Sequence, residues 1–174
     1  MSIDIADVFA NGRPLILEAG QTMFRTADPV RSMFYVMSGE LALVRHTRAG
    51  TPLVLNRAVS GFVLAEASAY SQVYHCDCVA RTRSSLRSLP VAEFHEVLRI
   101  SPDLAGLWAA QLAVSLQKAR MLSEIRSLKT VSQRLDAWLT DNGSLPPKGQ
   151  IQHLAHMLGV SREALYRELA KRRA

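Results

Sequence analysis

From Leu15 to about Leu89 the chain is cut into short apolar runs at nearly even spacing, and this punctuation limits its possible folds more than any other feature. The runs include L-I-L-E, S-M-F-Y-V-M, E-L-A-L-V-R and P-L-V-L-N. The breaks fall at Ala19-Gly20, Ala27-Asp28-Pro29, Ser38-Gly39, Ala49-Gly50 and Ser60-Gly61. Short strands with Gly or Pro at each break predict an antiparallel barrel or jelly roll. In E-L-A-L-V-R, Leu41 and Leu43 share one face, as a half-buried strand requires.

The period changes after Pro90. Val91–Ile100 reads as a short helix that stops before Ser101-Pro102, where Ser101 suits an N-cap and proline the first helical position. A long run over 102–128 follows, broken only by Gly106. Leu107, Val114, Met121 and Leu128 recur every seven residues, with Trp108, Leu112, Ala119 and Leu122 as a neighbouring stripe. A helix apolar on two adjoining faces needs two partners, here its own roll and a second copy of itself; burial against a single large sheet is the alternative. Three shorter helices complete the chain, at 130–140 (Val131, Leu135, Trp138 and Leu139 on one face), 150–158 and 161–172. The expected architecture is α+β: a double-stranded β-helix, or jelly roll, over 1–100, a dimerisation helix over 101–129 and a helical domain over 130–174.

Charge is distributed unevenly. The chain carries 21 Lys/Arg against 15 Asp/Glu, and residues 129–174 hold eight against four of these. A basic end of this kind suits a polyanion, of which nucleic acid is the commonest. No window approaches the ~18 apolar residues of a membrane span. The start, M-S-I-D-I-A-D-V-F, lacks the basic region and apolar run of a signal peptide, so a cytoplasmic protein with reduced thiols is expected.

The segment Q-I-Q-H-L-A-H-M-L-G-V-S-R-E-A-L-Y-R-E-L-A-K-R-R is the most informative. Ile151, Leu154, Ala155 and Leu158 should face inward, Gly159 should permit a tight turn, and Val160 should plug the angle. Leu165 and Leu169 should pin a second helix capped by Ser161. This is the layout of a helix-turn-helix, whose second helix enters the major groove of DNA. Arg162, Glu163 and Arg167 would then project from that helix, with chemistry suited to guanine and cytosine edges. Lys171, Arg172 and Arg173 lie further along, placed for phosphate or solvent.

With these motifs the chain resembles the Crp/Fnr family of bacterial transcription regulators over nearly its whole length. S-R-E-A-L-Y-R matches the family's Ser-Arg-Glu-x-x-x-Arg recognition helix, Pro102, Arg134 and Leu135 stand at expected places, and Gly39 matches a recurrent turn glycine of the sensor roll. The resemblance implies a homodimer on a pseudo-palindromic double-stranded DNA operator, with RNA polymerase as a further partner, no membrane association and no enzymatic activity. Members usually continue into a two-stranded wing, whereas this sequence stops at Ala174, so the head is expected to be helical and smaller. A regulator without an effector, or a module that binds a protein through a degenerate sensor, is the alternative.

In cyclic-nucleotide-binding members a Gly-Glu turn takes the ribose and a later arginine pairs with the cyclic phosphate. Here L-A-E-A-S-A-Y keeps Glu66 but places Ala65 before it, and counting on without a gap puts Cys76 at the arginine's position and Asp77 after it. A phosphate would lose its bidentate partner and meet a carboxylate, so cyclic nucleotide is not expected. A strand over 74–79 would turn Tyr74, Cys76 and Cys78 to one face and His75 and Asp77 to the other. Cys76 and Cys78 could grip a soft ion such as Cu(I), aided by Met23, Met33 or Met37, could respond to redox state, or could be buried as small hydrophobes. Two cysteines alone do not hold a four-cysteine iron–sulfur cluster. The histidines at 46, 75, 95, 153 and 156 are too scattered for a cupin-type enzyme centre.

Overall fold

The expected strands form and pair antiparallel throughout. In a computed structural model that describes residues 4–172, they are β1 (Arg13–Leu17), β2 (Thr22–Phe24), β3 (Ser32–Ser38), β4 (Glu40–His46), β5 (Pro52–Val59), β6 (Val63–Leu64), β7 (Asp77–Ala80) and β8 (Ser84–Pro90). Two four-stranded sheets result, ordered β1-β8-β3-β6 and β2-β7-β4-β5. The jelly-roll expectation therefore holds.

The first sheet is apolar on both faces, and strand alternation shows why. Phe34 and Val36 of β3, Leu64 of β6 and Leu86 of β8 pack into the roll with Leu17, Leu41 and Leu43. Their neighbours Met33, Tyr35, Val63 and Leu89 point the other way. That second face is covered by α1 (Ile5–Val8), α2 (Val91–Ile100) and the start of α3 (Pro102–Ser127). Phe94 of α2 is fully buried there and meets Trp108 of α3 edge to face, with ring centroids 5.0 Å apart. Burying each such aromatic stabilises the fold by about 1.5–3 kcal/mol.

The chain divides into two compact units, one up to Leu112 and the other from Ala113, so the division falls inside α3. The second unit adds α4 (Val131–Asn142), α5 (Ile151–Leu158) and α6 (Arg162–Lys171) to the last half of α3. T-x-x-Q opens α4 as a reciprocal cap: the Gln133 N–H donates to Thr130 Oγ1 and the Thr130 N–H to Gln133 Oε1. Leu135, Trp138, Ile151, Leu154, Ala155, Leu158, Leu165 and Leu169 form its core with Ile125. Among the described residues no strand follows Pro90, and no helix is long and apolar enough to cross a membrane.

Two expectations need correction. The strand anticipated over 74–79 begins only at Asp77. Upstream, the Tyr74 N–H donates to Asp28 O and the Ala27 N–H to Tyr74 O, and Pro29, which has no N–H to donate, bridges Val73. The chain then bends at His75 and Cys76, where the Arg45 guanidinium takes the His75 carbonyl at 2.9 and 3.1 Å. Burial still alternates through Tyr74, Cys76, Cys78 and Ala80. The seven-residue stripe of α3 is also not uniform. Leu107 and Val114 are exposed, but Met121 packs on the core of the second unit.

Gly39 sits at φ +90° between β3 and β4, and a Cβ there would lie 2.3 Å from Ser84 Oγ and 2.6 Å from Arg83 O. Gly20 has φ +86° but open space around it. Gly39→Ala should therefore cost about 2–4 kcal/mol and Gly20→Ala about 1 kcal/mol. Urea denaturation of both variants checks the difference, and equal losses would assign it to backbone conformation alone.

Candidate nucleic-acid interface and sensor cassette

α5 and α6 meet through a turn built for sharp reversal. Gly159 adopts the left-handed conformation at φ +65°, and the Val160 N–H donates back to Ala155 O at 3.0 Å. Val160 packs on the core beneath, and Ser161 Oγ accepts the Ala164 N–H at 3.1 Å, starting α6. Leu165 and Leu169 anchor α6 from below. Arg162, Glu163, Arg167 and Lys171 are all exposed, and the last three, four residues apart, share one outward stripe.

Each has a distinct local setting. The Arg162 guanidinium lies 5.4 Å from the centroid of the Tyr166 ring, a cation–π contact that steadies a long side chain. Hydrogen bonds from its own N–H and from Ser161, with Arg162 and Arg167 nearby, hold the Glu163 carboxyl below the usual carboxylate range. Glu163 is thus held charged and exposed in the first turn of α6. Thr130 and Ser132, at the start of α4, line one depression with Ala164, Arg167, Glu168 and Lys171; sequence reading had not connected them to α6, because contact between helices leaves no local spacing signal.

Arg172 behaves otherwise than its position in the basic tail suggests. Its guanidinium bonds Asp136 Oδ1 at 2.6 Å, Glu168 Oε1 at 3.0 Å and both the carbonyl and hydroxyl oxygens of Ser132. It ties α6 to α4 rather than reaching outward. Arg173 lies outside the described residues. Arg134 also works inward, donating from Nη1 to the Leu158 and Gly159 carbonyls at 3.0 Å and from Nε to Leu128 O at 2.9 Å.

The sensor cassette carries different chemistry. Ala65 sits in the left-handed region at φ +55°, where the family's glycine would be unstrained, and costs on the order of 1 kcal/mol. Glu66 opens the 3-10 turn Glu66–Ser68 and is partly buried. Cys76 and Cys78 are free thiols, almost fully buried among Phe24, Leu43, Tyr74 and Leu86. Burial pushes the Cys76 thiol up, with Asp77 and Glu66 adding to it and Arg45 opposing. Burial, reinforced by Cys76, pushes Cys78 up to about 12. Asp77 faces away: it accepts the Thr26 N–H at 2.7 Å and the Thr26 hydroxyl at 2.8 Å, with His46 Nδ1 3.5 Å off, and those bonds hold its carboxyl down. Glu66 and Cys76 are thus close enough to influence each other, whereas Asp77 is engaged on the opposite side of its strand. Met23 touches the cysteine-bearing core, Met33 belongs to the other core, and Met37 is 47% exposed. Among the described residues, no three His, Cys, Asp or Glu side chains are grouped to hold a metal ion.

A roll of two antiparallel sheets leading through a long helix to a helix-turn-helix is the architecture that the resemblance to the Crp/Fnr regulators implied. The profile of the cyclic nucleotide-binding domain matches residues 14–101, just over half of the sequence, and the chain belongs to that family. It is 24% identical over 161 residues to the cAMP-activated global transcriptional regulator CRP of Pasteurella multocida, covering 85% of this chain and 77% of the relative. It is 25% identical over 127 residues to the global nitrogen regulator of a Nostoc species, covering 70% of this chain but only 56% of the relative. The solved structure of the c-di-GMP-responsive global regulator CLP of Xanthomonas campestris superposes with a TM-score of 0.72 at 21% identity, covering 97% of this chain and 90% of that one.

Tyr74, whose hydroxyl donates to Ser32 O at 3.0 Å, is also pushed up to about 12 by burial and by Cys78 and Asp28. All three groups hold their protons more tightly folded than unfolded. The linked stability is present below their ordinary values of about 8.5 for thiols and 10 for tyrosine, and is lost as pH rises towards 12. The melting temperature should therefore fall between pH 9 and 12, and Cys76→Ala/Cys78→Ala should flatten that fall. An identical alkaline profile in the double variant would show that the thiols do not contribute.

Proposed function

We propose that this protein is a homodimeric, sequence-specific DNA-binding transcription regulator that does not use cyclic AMP as its effector. The observation that carries the reading is the outward stripe of α6: Glu163, Arg167 and Lys171, with Arg162 beside them, on a helix whose start is fixed by Ser161 and whose underside is fully committed to the core. Arginine bonds guanine bidentately and glutamate accepts from cytosine, so the stripe has the chemistry of base-edge reading. Lys171 supplies a phosphate contact.

The cassette supports the second half of the reading. A cyclic phosphate needs a cation at the position Cys76 occupies, and that side chain is a neutral thiol inside the core. Its neighbour Asp77 is already bonded to Thr26. The same burial favours Cys76 and Cys78 as packing residues over a Cu(I) or redox site, because a ligand thiolate would have to form against the desolvation that raises both thiols.

The test is selection of a binding site from randomised duplex DNA by the full-length protein, followed by titration of the selected site. A pseudo-palindrome with half-sites about one helical turn apart is expected. Arg162→Ala and Arg167→Ala should each lose about 1–3 kcal/mol on the selected site and much less on random DNA, and added cyclic AMP should change neither. Absence of any enriched sequence would overturn the reading.

The dimer part of the reading rests on α3. Leu107 and Val114, seven residues apart on one face, are 41% and 47% exposed along it, a stripe that a second copy of the helix would bury. Val114→Glu should yield a monomer of unchanged circular dichroism by analytical ultracentrifugation. Met121→Glu should instead unfold the second unit, where Met121 serves the core. A Val114→Glu protein that sediments like the parent would remove the helix from the dimer.

A further inference from the structure

The C-terminal end of α5 places several carbonyl oxygens where no intrahelical N–H can reach them, at the negative end of the helix dipole. Every one from Ala155 to Gly159 nevertheless has a donor. The Val160 and Gly159 N–H groups serve Ala155 and His156, and Arg134 serves Leu158 and Gly159. The remaining donor comes from α3: Arg126 Nε donates to Met157 O at 2.9 Å, and its Nη2 reaches His156 O at 3.3 Å.

Arg134 belongs to the helix bundle it stabilises, but Arg126 lies in the last turn of α3. Its aliphatic stem covers the turn as well. A Cβ on Gly159 would lie 3.4 Å from Arg126 Cγ, so the stem passes directly over the left-handed residue. Two residues further on, Ser161 starts α6. The geometry points to Arg126 as a positioning residue for DNA reading, the side chain through which the last turn of α3 fixes the α5–α6 turn and hence the pose of Arg162 and Arg167. This inference rests on the DNA-binding reading above. Lysine cannot replace arginine here, because an ammonium carries its three donors on one nitrogen, whereas the guanidinium bonds two carbonyls from separate nitrogens of a planar fork.

Full-length Arg126→Gln and Arg126→Lys proteins would be compared with the parent by amide hydrogen exchange and by titration with the selected operator and with random duplex. Both variants should exchange faster over residues 159–165 while keeping the parent's far-UV spectrum. Both should lose about ten-fold in operator affinity, with random DNA and the salt slope nearly unchanged. A lysine variant that binds like the parent, beside a glutamine variant weakened on both DNAs with a salt slope smaller by about one, would make Arg126 a phosphate contact and overturn the inference. Unchanged exchange in both variants overturns it without any DNA. A parent protein that selects no operator defeats the DNA-binding reading itself and this inference with it, and that failure shows before any variant is made.

Discussion

The first sheet is buried on both faces, and much of the first unit follows from that. One side of β3 fills the roll and the other needs a cover, which α1, α2 and the first turns of α3 supply. Trp108 is consequently a core residue rather than a surface aromatic, at 3% exposure. The same helix gives Ile125 to the core of the second unit. Its two ends are committed to two separate cores, and Val114 and Leu116 lie exposed in the stretch between them.

The strands of the roll could be read from sequence because their cues are local: a glycine or proline at each break and an apolar residue at every second position. The head was equally readable, since Gly159, Ser161 and the inward spacing of Ile151, Leu154 and Leu158 encode a turn and two helix faces directly. Long-range bonding was not readable. Nothing local distinguishes Arg172, folded back on Asp136 and Glu168, from Lys171 next to it. The strand through the cysteines starts later than its alternation suggests because Tyr74 bonds with Ala27 and Asp28, beside a bridge from Val73 to Pro29 that lies 44 positions away. The heptad stripe on α3 likewise mixed two destinations, with Val114 exposed and Met121 in a core.

On the alignment that the family resemblance implies, Cys76 stands where cyclic-nucleotide-binding members carry an arginine. An arginine aimed at a phosphate must keep its charge solvated or paired. A cysteine in its place can simply be buried, and Cys76 is, beside Cys78, Tyr74 and Phe24. The Phe24 and Tyr74 rings stack at 3.7 Å between centroids on this core. Ala65, held left-handed where glycine would rest without strain, opens the turn that carries Glu66.

Capping α5 with guanidinium groups rather than neutral donors has an electrostatic consequence. Carbonyl dipoles satisfy the hydrogen bonds of Arg126 and Arg134 but do not cancel their charge, whereas Asp136 and Glu168 do cancel that of Arg172. The ties of the head thus spend two of its acidic groups, Asp136 and Glu168, on one cation and leave two other cations contributing to a positive potential around the turn. Such a field extends about 8–10 Å at ordinary ionic strength and speeds diffusional encounter with a polyanion before any base is touched. On the DNA-binding reading proposed above, the bonds that hold the turn together would also set how fast the head finds its target, and that speed should weaken with added salt even where the final contacts do not.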